Sequence, residues 1–197
     1  MKIIGLTGTS GSGKGYVCSL FSSYGIKSID TDKTVHALYS DDEDCRNELR
    51  EEFGEGIFDA QGNICRKTLA SIVFSNKEKL IRLNTIVHKY VIKKCDEEKQ
   101  AAKMRGEKAF IIDAPQLFEA KMEDSCDIVV AVTADVEVRR KRLAERDNLS
   151  HADIERRIKN QHTDEFFAEK ADYVIINNGK EDVKLQIEKI LSSEDIL

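Results

Sequence analysis

The chain has 197 residues, 41% of them hydrophobic and 34% charged, with one proline, no tryptophan and a formal charge of -5. That composition excludes a disordered acidic tail, and the length suffices for one large domain or two very small ones, with a core that needs neither disulfides nor a structural metal. No apolar run approaches the roughly 18 residues of a membrane span, and the N-terminus enters an apolar run without a cationic leader, so a cytoplasmic protein independent of membranes is expected.

In chain order, Ile3 to Thr7 is the first of five short, almost continuously apolar β-rich runs. The others are Lys27 to Asp30, Ala109 to Asp113, Asp127 to Val132 and Tyr173 to Ile176. Such runs suit strands buried on both faces of a parallel sheet. Helical patterns lie between them, at Lys14 to Tyr24, Lys67 to Phe74, Lys77 to Met104, Val136 to Arg146 and Ser150 to Gln161. A last one, Asp182 to Leu191, sets Val183, Ile187, Ile190 and Leu191 on one face. Ser150 and Asp153 have the spacing of a capping box and mark a helix start. Strands alternating with helices predict a doubly wound α/β sheet.

Residues 33–108 break the alternation, since they hold helical patterns and no strand. They read as a helical subdomain inserted between the second and third strands. It either closes over the carboxyl edge of the sheet, where open α/β folds bind ligands, or covers one face. Cys18, Cys45, Cys65, Cys95 and Cys126 form no C-x-x-C pair and read as small buried apolar side chains.

The strongest chemical signal is Gly8-Thr9-Ser10-Gly11-Ser12-Gly13-Lys14, placed between the first strand and the first helix. It fits the G-x-x-x-x-G-K phosphate loop: glycines let the backbone curl so that N–H groups point inward, and the helix N-terminus adds partial positive charge. Lys14 supplies a mobile charge for the β and γ phosphates. The full motif continues with a hydroxyl residue that reaches Mg2+, but this chain has Gly15 followed by Tyr16. The resulting G-K-G loop resembles that of adenylate kinases, in which magnesium is held mainly through water and phosphate oxygens. Neither Ser10 nor Ser12 is assumed to replace the hydroxyl.

Three carboxylates end strands or follow them. Asp30 and Asp32 would share a face of an extended strand and point into the cleft over the phosphates, where phosphoryl transfer needs a carboxylate at the acceptor hydroxyl. Asp32 is alternatively the cap of the helix over Lys33 to Leu38. Asp113 ends the third strand as a Walker-B carboxylate does, near a metal or its water, although turns also favour aspartate there. Asp30, Asp32 and Asp113 are thus the candidates for a metal, through water.

Positive charge gathers in residues 139–161, where Arg139, Arg140, Lys141, Arg142, Arg146, Arg156, Arg157 and Lys159 face four acidic residues. Arg139, Arg142 and Arg146 recur at helical spacing, so they share a face and are expected to present guanidinium groups to one anion, as a mobile lid would. A solvated charged face is the alternative. The segment lacks interleaved aromatics, so nucleic-acid binding is not expected. His36, His88, His151 and His162 show no metal-ligand spacing.

Together these motifs resemble the dephospho-coenzyme A kinases. The matches run in order: Ile4-Gly-Leu-Thr-Gly8, Ile29-Asp-Thr-Asp32 with His36, Leu83 to His88, Asp113-Ala-Pro-Gln-Leu-Phe-Glu119, Asp127 to Val132, Arg142-Leu-Ala-Glu-Arg146-Asp147, Arg157-Ile-Lys-Asn-Gln161 and Ala171-Asp-Tyr-Val-Ile-Ile-Asn177-Asn-Gly179. The resemblance implies a P-loop NTPase-type α/β/α fold with a five-stranded parallel sheet. Its parts would be a nucleotide core of about residues 1–32, 109–138 and 170–197, a helical substrate subdomain over 33–108 and a lid over 139–169. It implies ATP with Mg2+, and transfer of the γ-phosphate to the ribose 3'-hydroxyl of dephospho-coenzyme A.

By the same resemblance, Asp32, Lys14 and Arg142 form the catalytic set. Gly8, Ser10, Gly11, Ser12, Gly13, Lys14, Gly15, Tyr16, Arg146 and Asn177 bind the nucleotide, with Asn177 near adenine, while Asp32, His88 and Asp113 meet the substrate. A monomer or weak homo-oligomer is expected. The chain departs from the family at Gly15 and Tyr16, at Lys89 after His88, at Gln116, and at Phe167, where a lysine is common. Two other readings stay open: a kinase of nucleoside monophosphates or another small alcohol, and a nucleotide-dependent switch without phosphoryl transfer. A GTPase is disfavoured, since Asn76-Lys77-Glu78-Lys79 fails the N-K-x-D motif.

Overall fold

All five expected strands form, in a computed structural model that describes residues 1–147 and 150–197. They are β1 (Lys2–Gly8), β2 (Lys27–Asp30), β3 (Ala109–Asp113), β4 (Ile128–Thr133) and β5 (Tyr173–Ile176), in the spatial order β2-β3-β1-β4-β5. β1 runs parallel to β3 and β4, and β4 parallel to β5; the register sets Leu6 opposite Asp113 and Gly8 opposite Val132. This sheet with its flanking helices is the α/β arrangement that the alternating pattern predicts.

Burial divides the strands. Every residue of β3 and β4 is buried, whereas β2 and β5 are largely half-buried or exposed. The expectation of burial on both faces therefore holds for inner strands and fails for the two at the edges, which have a neighbour on one side only. At β5 the edge is occupied by a side chain: the Gln186 amide accepts from Ile176 N and donates to Ile176 O, both at 3.0 Å.

The helices are α1 (Lys14–Ser23), α2 (Thr31–Asp41), α3 (Glu43–Phe53), α4 (Arg66–Phe74), α5 (Lys77–Met104), α6 (Val136–Asp147), α7 (His151–Lys159), α8 (Asp164–Lys170) and α9 (Val183–Ser193). Several starts are fixed by side-chain oxygens that accept an otherwise unpaired N–H of the first turn. Asp42 accepts from Cys45 N at 2.9 Å, Asp182 from Leu185 N at 2.9 Å and Ser150 from Asp153 N at 3.2 Å, the last at the helix start that the capping-box spacing marks, where the Ser150 hydroxyl also donates to the Asp153 carboxylate at 2.6 Å.

Val17 and Phe21 of α1 and Val183, Ile187, Ile190 and Leu191 of α9 pack with Ile4, Leu6, Val130 and Ile175 in one hydrophobic core. Full burial of each such side chain contributes about 1.5–3 kcal/mol. On the other side of β1, a Cβ added to Gly5 would lie 2.9 Å from both Leu117 Cδ2 and Cys126 Sγ, so glycine is what lets those side chains reach the strand.

The chain clusters into two compact units, residues 1–29 with 99–197 and residues 30–98. The second has its own buried set, including Leu38, Leu49, Ile57, Leu69, Val73, Ile86 and Val91. Of the five cysteines, Cys45 and Cys95 are buried as expected, while Cys18, Cys65 and Cys126 are only half-buried. Burial pushes the Cys45 thiol up to about 12 and that of Cys126 up to about 11. No helix among the described residues is long and apolar enough to cross a membrane.

Candidate active site

The loop between β1 and α1 depends on glycine for space as well as for backbone angle. Gly8 has φ 150, and a Cβ there would sit 2.2 Å from Val132 O. Gly13 has φ 88, and its added Cβ would lie 2.3 Å from Asn177 Nδ2. A side chain at either position would thus collide with backbone or with a buried amide as well as strain the turn.

Between these glycines, the loop carbonyls are tied back by side chains. Arg139 Nε donates to Ser10 O at 3.0 Å, and Arg142 Nη1 donates to Gly11 O at 3.3 Å and to Ser12 O at 3.1 Å. Asn177 Nδ2 also donates to Ser12 O, at 2.7 Å, and Arg142 Nη1 reaches Asn177 O at 2.9 Å. In a planar trans peptide, C=O and the next N–H point opposite ways, so holding the carbonyls of Ser10 and Ser12 aims the N–H groups of Gly11 and Gly13 away from α6. A curl of this kind forms a concavity for an anion.

Lys14 Nζ donates to Asp113 Oδ1, so the loop lysine and the end of β3 form a largely buried ion pair. The side-chain hydroxyls of Thr9 and Ser12 are buried and lack a hydrogen-bond partner among the described residues. Each such unsatisfied group costs about 1–3 kcal/mol. Two cavities adjoin the loop and share Gly13 and Arg142. One of about 350 Å³ is also lined by Gly11, Glu145 and Arg146; the other, about 410 Å³, by Tyr16, Asn177, Gly179, Glu181 and Val183.

A Cβ at Gly15 would meet nothing within 4 Å, so steric crowding does not account for the missing hydroxyl. Among the described residues, no group of three or more His, Cys, Asp or Glu side chains could hold a metal ion. The single carboxylate paired with Lys14 suits a magnesium ion that arrives with a nucleotide and keeps mostly water and phosphate oxygens around it.

The three arginines of the expected stripe differ in their surroundings. Arg139 is 3% exposed and bonds the loop backbone, and burial lowers its pKa. Arg142 donates to loop carbonyls and also lines both cavities, while Arg146 forms a two-point ion pair with Asp147 at 2.6 and 2.8 Å and lies largely in solvent. The helical face is real: Arg139 is buried in it, whereas Arg142 is half-buried and Arg146 exposed, and these two line the same cavity. Asp147 also accepts from Arg157 at 2.8 Å, which links α6 to α7.

The Asp30–Asp32 geometry also needs correction. Asp30, not Asp32, is the N-cap of α2: its Oδ1 accepts from Lys33 N at 3.0 Å. The backbone has turned helical by Thr31, so the two carboxylates do not share a face of an extended strand, and Asp32 is exposed in the first helical turn. His88 is half-buried on α5.

Sequence reasoning missed two other features. Gln161 Oε1 accepts from Ser10 N at 3.0 Å and from Arg139 Nη2 at 3.1 Å. His162 stacks on Phe166 at 3.7 Å, and its Nε2 is 3.2 Å from Glu119 Oε1. Phe167, at the position where the family commonly has lysine, is buried and tilted against Phe118. Ser10 lies 151 residues from Gln161, and Glu119 is also distant from His162, so these contacts leave no local signal, whereas Phe166 follows His162 by one helical turn.

A family model described as dephospho-CoA kinase matches residues 2–182. A curated dephospho-CoA kinase of Fusobacterium nucleatum is 40% identical over 190 residues, covering 96% of this chain and 96% of that protein. A solved protein of Thermus thermophilus superposes with a TM-score of 0.85 at 30% identity, covering 98% of this chain and 97% of that one. The dephospho-CoA kinase from Campylobacter jejuni gives a TM-score of 0.70 at 25% identity, covering 98% and 96%.

Proposed function

The chain belongs to the dephospho-CoA kinase family, and on that premise we propose how its residues transfer the γ-phosphate of ATP to the ribose 3'-hydroxyl of dephospho-coenzyme A. The observation that carries the proposal is the loop itself, with its carbonyls tied back, its lysine held at its mouth by Asp113 and two cavities meeting at Gly13 and Arg142.

The N–H groups of the loop and the N-terminus of α1 bind the β and γ phosphates, replacing water with fixed dipoles. Gly11, Gly13 and Gly15 present N–H groups to this cradle, while Ser10 and Ser12, whose N–H groups bond Gln161 Oε1 and Thr9 O, hold its shape. Lys14 exchanges Asp113 for the transferring phosphate. The nucleoside occupies the cavity between Tyr16 and Asn177, while the cavity beside Arg146 takes phosphate charge. Arg142 lines both and neutralises charge that builds up during transfer. Asp113 would hold a magnesium ion through water, and the ion would supply further neutralisation of phosphate charge.

Asp32 orients the 3'-hydroxyl and accepts its proton, a task that suits an exposed carboxylate at a helix start, and His88 contributes to binding of the acceptor. Catalysis is then mostly positioning and charge compensation. The test is ADP release with dephospho-coenzyme A, AMP, CMP and shikimate side by side, with and without Mg2+. Dephospho-coenzyme A is expected to give the largest kcat/KM, and a preference for any of the other three overturns the substrate assignment. Asp32→Asn is expected to lower kcat by about 100-fold or more while ATP still binds; turnover at the wild-type rate would remove Asp32 from the mechanism.

A further inference from the structure

Ser10 is held at both of its backbone polar groups by side chains from the far half of the chain. Gln161 Oε1 accepts from Ser10 N at 3.0 Å, Arg139 Nε donates to Ser10 O at 3.0 Å, and Arg139 Nη2 closes the triangle on Gln161 Oε1 at 3.1 Å. Arg139 belongs to α6, whereas Gln161 lies between α7 and α8.

These bonds fix two consecutive peptide units. The Ser10 N–H belongs to the Thr9–Ser10 peptide, whose carbonyl must point the opposite way. That carbonyl accepts from Ser12 N at 3.1 Å, which closes a turn over Thr9 to Ser12. Gly11 sits inside this turn with φ 82, and an added Cβ there would be 2.9 Å from Arg139 O, so the turn is pressed directly on α6. Arg139, by holding the Ser10 carbonyl, aims the Gly11 N–H away from the helix.

We propose that Gln161 is a positioning residue for the triphosphate: with Arg139 it locks the Thr9–Ser12 turn in the orientation that presents loop N–H groups to the β and γ phosphates. The lock joins the region around α7 and α8 to the loop, so a displacement of that region turns loop peptides and changes phosphate binding. It rests on the reading of the loop as the ATP site. Gln161 is suited to the task because one neutral oxygen accepts both bonds, from a backbone N–H and from a guanidinium. Arg139 keeps its charge in a buried place because the Ser10 carbonyl and the Gln161 amide oxygen accept from it and the charge of the Asp164 carboxylate favours it.

The test compares the full-length wild type with Gln161→Leu, which has similar bulk and no acceptor, and Gln161→Glu, which keeps the acceptor. Calorimetric titration with ATP, ADP and AMP is combined with thermal unfolding of each protein. Gln161→Leu is expected to bind ATP and ADP about tenfold more weakly, as loss of one well-placed bond predicts. Its AMP affinity should be unchanged, since AMP lacks the β and γ phosphates, and Gln161→Glu should bind ATP within about threefold of wild type. The lock is refuted if Gln161→Leu binds ATP as the wild type does, if AMP affinity falls as much as ATP affinity, if Gln161→Glu is as weak as Gln161→Leu, or if only the unfolding temperature falls. These outcomes are read without the acceptor. Wild-type protein that binds ATP but releases no ADP with dephospho-coenzyme A would overturn the substrate assignment and leave the lock standing.

Discussion

The two ends of α6 carry the same residue type at helical spacing and use it differently. At the loop end, Arg139 and Arg142 lie against backbone carbonyls of residues 10–12, and Arg139 is almost fully buried. At the far end, the Arg146 side chain is 61% exposed and pairs with Asp147. Guanidinium is always charged, so what differs is the supply of acceptors. Where the fold brings carbonyls that need donors, arginine becomes part of the loop's framework; where it brings water and a neighbouring carboxylate, arginine pairs with that carboxylate at the surface.

The contrast breaks most visibly at Arg142, which serves both as buttress and as a charge lining the two cavities. Arg142→Ala is expected to lower kcat by about 100-fold, and steady-state kinetics with less than about a fivefold loss would place the residue outside the transfer step. Arg139 tests the framework role alone. Arg139→Met leaves the Ser10 carbonyl without its donor, at a cost of about 2–3 kcal/mol, or about 5–10 °C in the unfolding midpoint for a domain of this size. An unchanged midpoint would show that the buried guanidinium does not stabilise the fold.

The smallest effect belongs to the far end. Arg146→Ala is expected to move the midpoint by less than about 2 °C near neutral pH, as exposed pairs do. The Asp147 carboxyl is held below its ordinary 3.8, chiefly by its hydrogen bonds with Arg146 and then by the charges of Arg146 and Arg157. A depressed carboxylate stabilises the fold above its ordinary value and loses that contribution as pH falls through its folded value. The wild-type and Arg146→Ala midpoints should therefore differ at neutral pH and converge as pH drops below 3.8; a difference that persists in acid would assign it to something other than this pair.

Much of this architecture was legible because it repeats locally. The limits of α5 follow from a long, regular helical pattern, and the loop announces itself because glycine, lysine and the strand–helix junction coincide. The turn at Asp30 was not legible. Both Asp30 and Asp32 suit an N-cap, and only the bond to Lys33 N shows which one takes that place. The burial of Arg139 was hidden for a different reason: a run of charges ordinarily marks a solvated face, and the acceptor that reverses this lies 129 residues away. Edge strands β2 and β5 read as inner ones because an apolar run records side chains and not the number of neighbouring strands.

The Gln186 amide beside β5 bears on how copies of the chain meet. An uncovered strand edge recruits strands from other molecules through the same N–H and C=O groups that build a sheet. At Ile176 both groups are already matched by one side chain in the pattern a sixth strand would use. An incoming strand must first displace that amide and recover two bonds before it gains any, which discourages edge-to-edge association where the exposed side chains of Val174 and Ile176 would otherwise favour it.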